Sequence, residues 1–492
     1  MKERASGILL HISSLPGPYG IGDFGRSAYE FVDFLKGTGT RYWQILPLGI
    51  TGFGDSPYQS FSAFAGNPYF IDLGELIKAG YLDEEDIESA DLGDDPERVD
   101  FGKLYENKMP LLIKAYKNSR ELLHEELEVL CEKTDWLWDF ALFMAIKNHH
   151  SGRSWQEWPD SYKLRDEKTL EEFARTNRSE VLFWVFTQYF FDKQWRALKE
   201  YANRANVRII GDIPIYVAED SADVWSRPEL YRLDRDLAPM VVAGCPPDAF
   251  TADGQLWGNP IYDWNAMKET GYSWWIKRIQ ESFMLYDTVR IDHFRGFEAF
   301  WEIPAEARKA TQGKWTKGPG LSLFNAVEKS LGELDILAED LGFLTEEVEE
   351  LIADTGYPGM KVMVFAFDTR EDSDYLPHNY IRNTVVYTSN HDTQTITGYL
   401  NAAPFTETDF AREYLKLDRE EGLSRGFIRG AWGSVSYLAV APMQDLLGLD
   451  DSARFNIPST LGGNNWTWRM KDGVLDKSLR NDLARLNRTY RR

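Results

Sequence analysis

The feature that most constrains this chain is a series of short apolar runs, each rich in β-branched residues and each ending in a polar or glycine-rich turn. Helical patterns lie between several of them, for example at residues 27–39 and 274–287, where apolar residues recur at intervals of three and four. Near-continuous apolar strands that alternate with helices indicate a parallel sheet covered on both faces. Eight such runs predict an α/β fold of the (β/α)8 TIM barrel type. The runs span residues 7–17, 41–49, 208–217, 288–296, 335–342, 360–368, 384–392 and 435–448.

The predicted strands are unevenly spaced, which indicates large insertions on the barrel. About 160 residues separate the second run from the third, and residues 104–150 among them have the pattern of long amphipathic helices. We therefore expect one catalytic barrel domain over residues 1–492, with a mainly helical insertion subdomain at about 74–200 and an active-site loop insertion at about 240–265. The segment after the eighth run fits a loop and a closing helix at 476–488. It predicts no C-terminal β-sandwich.

Charge and cysteine content exclude several classes of function. The formal net charge is −23 and the pI is about 4.8, which argues against the basic surface that nucleic acid requires. The apolar run near the N-terminus is short and is interrupted by His11, so we expect no signal peptide, no membrane partner and a cytoplasmic protein. The two cysteines, Cys131 and Cys245, cannot build a disulfide framework, and no Cys or His pair has zinc-ligand spacing. We expect no metal site.

Aromatic residues make up 14% of the chain and include 17 tryptophans. Flat aromatic rings stack on the apolar faces of sugars, which is the functional interpretation. The alternative is that large rings simply fill a large core, because they contribute much buried area per residue. Composition alone leaves both open.

Carboxylates recur where the predicted strands end, at Asp212, Asp292, Glu339, Asp368 and Asp392. In a barrel these ends converge on one face, where the loops after the strands build the active site. Any single one of these residues could instead cap the following helix. Five together favour a site.

Several carboxylates without a metal fit the cleavage of glycosidic bonds. A retaining enzyme needs one ionised carboxylate and one protonated carboxyl about 5 Å apart, which neighbouring strands can supply. Residues two apart on a strand share a face, so Arg290 and Asp292 should both point into the site. We expect the guanidinium to lower the pKa of Asp292, and burial near other carboxylates to raise the pKa of Glu339.

Four motifs follow this order of strand ends: GDIPIYV at the third, VRIDHFRG at the fourth, ILAEDLG at the fifth and TSNHDT at the seventh. As a set, the chain resembles the α-amylase superfamily. The segments HISSLPGPYGIGDFG (11–25), GDSPYQSFSAFAGNPYFIDL (54–73) and GCPPDAFTADGQLWGNPIYDW (244–264) make it more similar to the 4-α-glucanotransferases called amylomaltases or disproportionating enzymes. The resemblance covers the chain from about residue 5 to its end.

The resemblance implies a role for each matching residue. Asp292 would be the nucleophile, Glu339 the general acid and base, and Asp392 the third carboxylate, which binds the ring being cleaved. His293 and His391 have the alternative of being core histidines, and Asp368 and Asn464 of being local caps or loop residues, since Asn464 and Asn465 leave the register ambiguous. The substrate-binding candidates are Ser56, Tyr58, Asp212, Gln255, Trp257, Arg290, His293, Asp368, His391 and Asn464.

The resemblance further implies an enzyme without cofactor that transfers α-1,4-glucan segments. Maltooligosaccharides, amylose, starch or glycogen-derived glucans would be donors, and glucose could accept.

Transfer requires water to be excluded from the intermediate. The loop PPDAFTADGQLWGNP (246–260), with Phe250 and Trp257, is the candidate lid, and an ordinary long loop is the alternative. From the resemblance we expect tyrosine in several relatives at the position of Phe53. A hydrolase of the same superfamily and a non-catalytic glucan-binding protein are the other hypotheses.

Overall fold

The computed structural model describes residues 3–52, 54–247, 253–342 and 344–492. Eight parallel strands form its main sheet in the order β10-β11-β12-β1-β2-β3-β6-β9. The backbone N–H of Ala338, at the end of the last strand in this order, donates to the carbonyl of Pro358, next to the first, at 3.0 Å and closes the sheet. The predicted (β/α)8 barrel is confirmed. Its strands are β1 (Ala5–Leu9), β2 (Tyr42–Gln44), β3 (Arg208–Ile213), β6 (Thr288–Ile291), β9 (Ile336–Ala338), β10 (Gly359–Val362), β11 (Thr384–Tyr387) and β12 (Leu438–Pro442).

A smaller antiparallel sheet, in the order β5-β4-β7-β8, stands beside the barrel. The sequence analysis did not predict it and treated residues 240–265 as a loop insertion. The reason is that glycine, proline or charged residues interrupt the apolar residues of each short strand, and the edge strand KWTK is largely exposed. Its strands are β4 (Val241–Cys245), β5 (Gln255–Pro260), β7 (Ala299–Pro304) and β8 (Lys314–Lys317).

Helices cover the barrel, and those predicted at 27–39, 274–287 and 476–488 are present as α1, α13 and α20. The helix α13 packs beside β3 and β6, so it supports the two strands that carry Asp212 and Arg290. The helices are α1 (Arg26–Thr38), α2 (Leu73–Lys78), α3 (Glu84–Glu88), α4 (Phe101–Lys103), α5 (Met109–Ser119), α6 (His124–Lys133), α7 (Leu137–His149), α8 (Asp160–Lys163), α9 (Glu167–Thr176), α10 (Arg178–Arg204), α11 (Ala222–Ser226), α12 (Trp264–Glu269), α13 (Ser273–Leu285), α14 (Leu321–Leu331), α15 (Glu346–Thr355), α16 (Ile396–Ala402), α17 (Phe405–Leu415), α18 (Leu423–Gly433), α19 (Met443–Leu446) and α20 (Lys477–Tyr490).

The long segment between β2 and β3 is helical, as the periodicity predicts, and contains α2 to α10. The 27-residue α10 returns the chain to the barrel, and one face of it is buried against the rest of the insertion and the barrel wall. After β12, residues 443–492, all of which the structure describes, add α19 and α20 and no strand to either sheet. No helix among the described residues is long and apolar enough to cross a membrane.

Core packing accounts for part of the aromatic content. Six tryptophans are essentially inaccessible to solvent, so they fill space between barrel and helices and cannot contact a sugar. These are Trp43, Trp155, Trp195, Trp225, Trp275 and Trp432. Trp257, by contrast, is only half-buried and lies at the site.

Candidate active site

Asp292 and Glu339 stand at the same level on neighbouring strands. The paired residues Ile291 of β6 and Ala338 of β9 immediately precede them. The backbone N–H of Glu339 donates to the carbonyl of Ile291 at 3.0 Å, which continues the ladder to the position of the two carboxylates. Adjacent strands lie about 4.8 Å apart, so this register supports the separation expected of the pair.

Arg290 joins the carboxylate of Asp292 to that of Asp212 on β3. Its guanidinium lies 2.6 Å from Asp212 Oδ2 and 3.0 Å from Asp292 Oδ1. Arg290 and Asp292 therefore share a face, as their spacing on the strand predicts. Only 2% of Arg290 is exposed, and although burial opposes its charge, Asp212 and Asp292 raise the pKa of Arg290 above its usual range.

The net pKa shift of Asp292 is opposite to the expectation. Burial raises the pKa of Asp292 to about 6; Arg290 opposes this shift, while Asp212 and Asp392 add to it. Arg290 lowers the pKa of Asp292 as predicted, but one guanidinium shared between two carboxylates does not outweigh the loss of solvation, so the net shift is upward. Asp292 is still predominantly ionised at neutral pH.

Glu339 has the protonation behaviour expected of a general acid. Burial raises its pKa to about 7, with Arg290 opposing and Asp292 adding to the shift. Backbone N–H groups of His293 and Leu341 donate to its two oxygens at 2.7 and 2.8 Å. These bonds fix the carboxyl in place and favour its ionised form, so they moderate the shift that burial produces.

His293 holds the turn that follows β6. Its backbone is left-handed, with φ of 50°, an uncommon conformation for a residue with a side chain. This conformation directs its N–H to Glu339. Burial lowers the pKa of His293 to about 3, so its ring is neutral, and the ring lies edge-on to Trp257 with centroids 4.8 Å apart. Gln255 Oε1 accepts from Trp257 Nε1 at 3.1 Å.

Tyr58, His391 and Asp392 form a hydrogen-bonded chain across the site. The Tyr58 hydroxyl donates to Asp212 Oδ2 at 2.9 Å, so its oxygen accepts from Nε2–H of His391, also at 2.9 Å. The same nitrogen lies 3.0 Å from Asp392 Oδ2. Its proton therefore resides on Nε2 in the neutral ring. Although burial opposes the charge, Asp392 raises the pKa of His391.

Asp392 is held ionised by partners that the sequence analysis missed. Asn456 Nδ2 donates to its Oδ1 at 2.6 Å, and Arg454 donates to its backbone carbonyl at 2.5 Å. Burial opposes ionisation, yet His391 and Asn456 lower the pKa of Asp392 to about 2. Both missed residues lie in the loop after β12, the eighth barrel strand, and that position was the signal that could have found them.

The remaining candidates are less closely integrated. Ser56 accepts from the backbone N–H of Tyr58 at 3.3 Å and orders the turn that presents that ring. Asp368 is engaged within its own loop, where its carboxylate accepts from the backbone and guanidinium of Arg370. Asn464 is exposed, whereas the Asn465 side chain binds the backbone of Ile457 and Thr460, so Asn464 is the one available to a ligand.

Two residues considered from the sequence, Phe53 and Phe250, lie outside the described residues. Within those residues, no group of His, Cys, Asp and Glu side chains could hold a metal ion. The site therefore offers an ionised carboxylate, a carboxyl that is protonated near neutral pH and a third carboxylate braced by a histidine. The first two are the pair of groups that retaining transfer of a sugar requires.

Comparisons with known proteins agree with this chemistry. The family model described as 4-alpha-glucanotransferase matches residues 10–476. A 4-alpha-glucanotransferase from Clostridium butyricum is 50% identical over 98% of this chain and 100% of its own length. The amylomaltase from Streptococcus agalactiae in complex with acarbose has a TM-score of 0.97 and 44% identity, with both chains covered completely. The amylomaltase from Corynebacterium glutamicum, at 19% identity, shares the fold with a TM-score of 0.79 over 98% of this chain and 75% of its own.

Proposed function

The chain belongs to the 4-alpha-glucanotransferase family and is a transferase acting on α-1,4-glucans, and we propose that Asp292, Glu339 and Asp392 carry out its reaction. Asp292 is the nucleophile, Glu339 the general acid and then the general base, and Asp392 the carboxylate that binds the reacting ring. The observation that carries this assignment is the register of Asp292 and Glu339 on neighbouring strands, with one carboxyl braced by Arg290 and the other by two backbone N–H groups.

In the first step, Asp292 Oδ attacks the anomeric carbon of the donor as the bond to the leaving oxygen breaks. Glu339 gives its proton to that oxygen, so the shortened glucan leaves as an alcohol and the remaining segment becomes an ester of Asp292. The pKa of about 7 at Glu339 makes a protonated acid available near neutral pH. Arg290 keeps the Asp292 carboxylate oriented for attack.

In the second step, the ionised Glu339 takes the proton of an acceptor 4-hydroxyl, whose oxygen attacks the anomeric carbon and releases Asp292. Two inversions restore the original configuration. Water can take the place of the acceptor, and the relatives' established class favours transfer over the hydrolase alternative. Trp257 and the ring of His293 provide an apolar wall on which an acceptor sugar can exclude water.

The other residues bind or position the sugar. The Asp392 carboxylate, whose side chain is 40% exposed, is available to hydroxyl groups of the reacting ring. His391 holds Asp392 and Tyr58 in place, and its ring lies against that of Tyr58 with centroids 5.3 Å apart. Asp212 orients Arg290. Further along the cleft we assign sugar contacts at Ser56, Gln255, Trp257, Asp368 and Asn464.

The substrates we propose are maltooligosaccharides, amylose, starch and glycogen-derived glucans as donors, with glucose as an acceptor. We propose a cytoplasmic enzyme that binds neither nucleic acid nor membrane, and the acidic charge balance supports the absence of a nucleic-acid partner. We propose that residues 1–492 act as one catalytic domain. The helical insertion and the sheet of β4, β5, β7 and β8, called the hairpin sheet below, are parts of it, because one continuous core contains residues of the barrel, of the insertion and of that sheet, the last being Ala243 and Phe300.

The experiment that tests this function is incubation of the purified protein with maltotriose. Both the ladder of products and the total number of reducing ends are followed over time. Transfer exchanges one glycosidic bond for another, so glucose and longer oligosaccharides should appear while the total stays constant. A steadily rising total would establish hydrolysis instead.

A further inference from the structure

Residues 257–259 form a bulge in β5 of the hairpin sheet. The register with β4 shifts at this point, so that three residues of β5 lie opposite Ala243 alone. Gly258, in the middle of the bulge, has φ of 79°, a left-handed conformation that favours glycine. Bulges often redirect a side chain beside an active site, and this one carries Trp257, whose ring lies against that of His293.

The side chain of Asn259, at the end of the bulge, is bound to two loops of the barrel. Its Nδ2 donates to the carbonyl of Val217, in the loop after β3, at 2.8 Å. Its Oδ1 accepts from Nε2 of Gln59, in the loop after β2, at 3.1 Å, and its Nδ2 also donates to Gln59 Oε1 at 3.4 Å. Gln59 and Asn259 therefore form a reciprocal amide pair, and only 5% of Asn259 is exposed.

The amide pair joins the two sides of the cleft. On one side, Gln59 directly follows Tyr58, whose hydroxyl donates to Asp212 in the network that holds the nucleophile. On the other side, Asn259 lies two residues after Trp257, which forms the wall for an acceptor sugar. The pair thus relates the position of that wall to the position of the bond being cleaved.

Asn259 makes the polar side-chain connection between the bulge and the barrel. Gly258 has no side chain, and Trp257 Nε1 donates to Gln255 of the same strand. Among the described residues, the side-chain hydrogen bonds from residues 257–259 to the barrel loops are those of Asn259. Losing them should let the bulge shift, and a displacement well below 1 Å is enough to misplace an acceptor hydroxyl or to admit water.

We propose that the amide pair of Gln59 and Asn259 positions the acceptor side of the cleft and so determines how often an acceptor sugar, rather than water, takes the glycosyl group. The two are positioning residues, because they act through Trp257 and not on the reacting atoms. The inference rests on the transferase function and on the role proposed above for Asp292. Without the pair, the ester of Asp292 should form at nearly the normal rate, but water should consume more of it.

Three variants remove the hydrogen bonds of the pair in steps. Gln59→Met keeps the length of the side chain and removes the bonds between the two amides, so the ratio of hydrolysis to transfer should rise about threefold. Asn259→Ala also removes the bond to Val217, so the ratio should rise about tenfold. The double variant should equal Asn259→Ala, because the bonds of Gln59 are already lost there. A rise of about thirtyfold in the double variant would mean that the two residues act independently and would overturn the proposal.

An assay with maltosyl fluoride as donor and excess glucose as acceptor separates the two steps at initial rates. Released fluoride measures formation of the ester, maltotriose measures transfer to glucose, and maltose measures hydrolysis. Fluoride release should change less than about twofold in all three variants. Asn265→Ala is the matched control, because Asn265 is an exposed asparagine on α12, directly after the same strand. It should leave the ratio unchanged.

Thermal unfolding distinguishes this role from one in stability alone. A lower unfolding midpoint with an unchanged ratio would mean that the pair only stabilises the fold and would contradict the proposal. A loss of fluoride release as large as the change in the ratio would contradict it too, because the pair would then act on bond cleavage. If Asn259→Ala does not fold, Gln59→Met decides alone, since Gln59 is only half-buried: a threefold rise supports the proposal and an unchanged ratio overturns it.

The wild type tests the transferase function separately. Maltose in excess of maltotriose at saturating glucose would count against that function. The amide pair is judged only by the change of the ratio from the wild type to its variants.

Discussion

Two regions of the molecule hold their functional side chains in different ways. One is the barrel end, where Asp292, Glu339 and Asp392 follow their strands, and the other is the hairpin sheet beside it. At the barrel end, Arg290 and Glu339 are 2% and 8% exposed, and each makes at least two short polar contacts. On β5 of the hairpin sheet, Trp257 and Gln255 are half-buried, and the main polar contact of Trp257 is with Gln255 itself. Buried, densely bonded groups keep a fixed geometry, whereas sparsely bonded surface groups can adapt.

These two ways of holding side chains suit two different tasks of the enzyme, bond cleavage and the choice of acceptor. Bond cleavage requires carboxylates held within fractions of an ångström, which buried charge networks provide. Choosing between water and acceptors of different length requires a surface that accommodates several partners. Changes at the barrel end should therefore affect every reaction of the enzyme, and changes on the sheet should affect mainly the partition between acceptors.

The largest effect should come from Asp292→Asn. An amide cannot form the glycosyl ester, so turnover of maltotriose should fall by at least about 10⁴-fold, as for other nucleophile deletions. Product formation at saturating donor measures it, with Asp94→Asn in an exposed loop as the matched control. Full activity in Asp292→Asn would refute the assignment of the barrel end as the place of reaction.

Glu339→Gln should lose about 10²–10⁴-fold in turnover of natural glucans, the contribution of general acid catalysis. Glycosyl fluorides have a leaving group that needs no proton, so they should still load Asp292, and mass spectrometry should detect the covalent intermediate. If fluoride donors and maltotriose lose activity to the same extent, Glu339 is not the acid.

Asn456→Ala tests whether the missed partner of Asp392 belongs to the same rigid network. Losing its hydrogen bond to the carboxylate should reduce kcat/KM about 10- to 150-fold, the range for a bond to a charged group. Steady-state kinetics measure it, with Asn383→Ala as control, because Asn383 is an exposed asparagine whose side chain donates to the carbonyl of Gly356. Unchanged kcat/KM would place Asn456 with the adaptable surface instead.

Sequence analysis predicted the strands and the carboxylates of the barrel end, but it did not predict the strands of the hairpin sheet. All eight barrel strands have apolar runs, and Asp292, Glu339 and Asp392 follow them in motifs of fixed order. The direction of the pKa shift of Asp292 could not be predicted from the sequence. It depends on how completely the site is buried and on the sharing of Arg290 with Asp212. The strands β4, β5, β7 and β8 were missed because glycine, proline or charged residues interrupt the apolar positions of each short strand.

The pH dependence of kcat/KM should report both carboxyls of the barrel end. Asp292, with a pKa of about 6, must be ionised, so activity is lost as pH falls through 6; Glu339, with a pKa of about 7, must be protonated, so activity is lost as pH rises through 7. The result is a narrow bell with about tenfold loss per pH unit on each side, and its limbs belong to the interacting pair. In Glu339→Gln the alkaline limb should disappear. A plateau from pH 5 to 9 in the wild type would rule out this pair.

The smallest effect should come from Trp257→Ala, which tests the adaptable region alone. Removing the indole takes away the apolar wall beside His293, so water should compete better with the acceptor 4-hydroxyl at the Asp292 ester. We expect the ratio of hydrolysis to transfer, read from the reducing-end total with maltotriose, to rise about three- to tenfold, while the rate of loading from a glycosyl fluoride changes less than about twofold. Trp315→Ala is the matched control, because Trp315 is a half-exposed tryptophan on β8 of the same sheet whose ring contacts Arg295 and Trp301 rather than the site. A fall in fluoride loading as large as the change in the ratio would mean that Trp257 acts on bond cleavage itself, and the division between a rigid barrel end and an adaptable sheet would not hold.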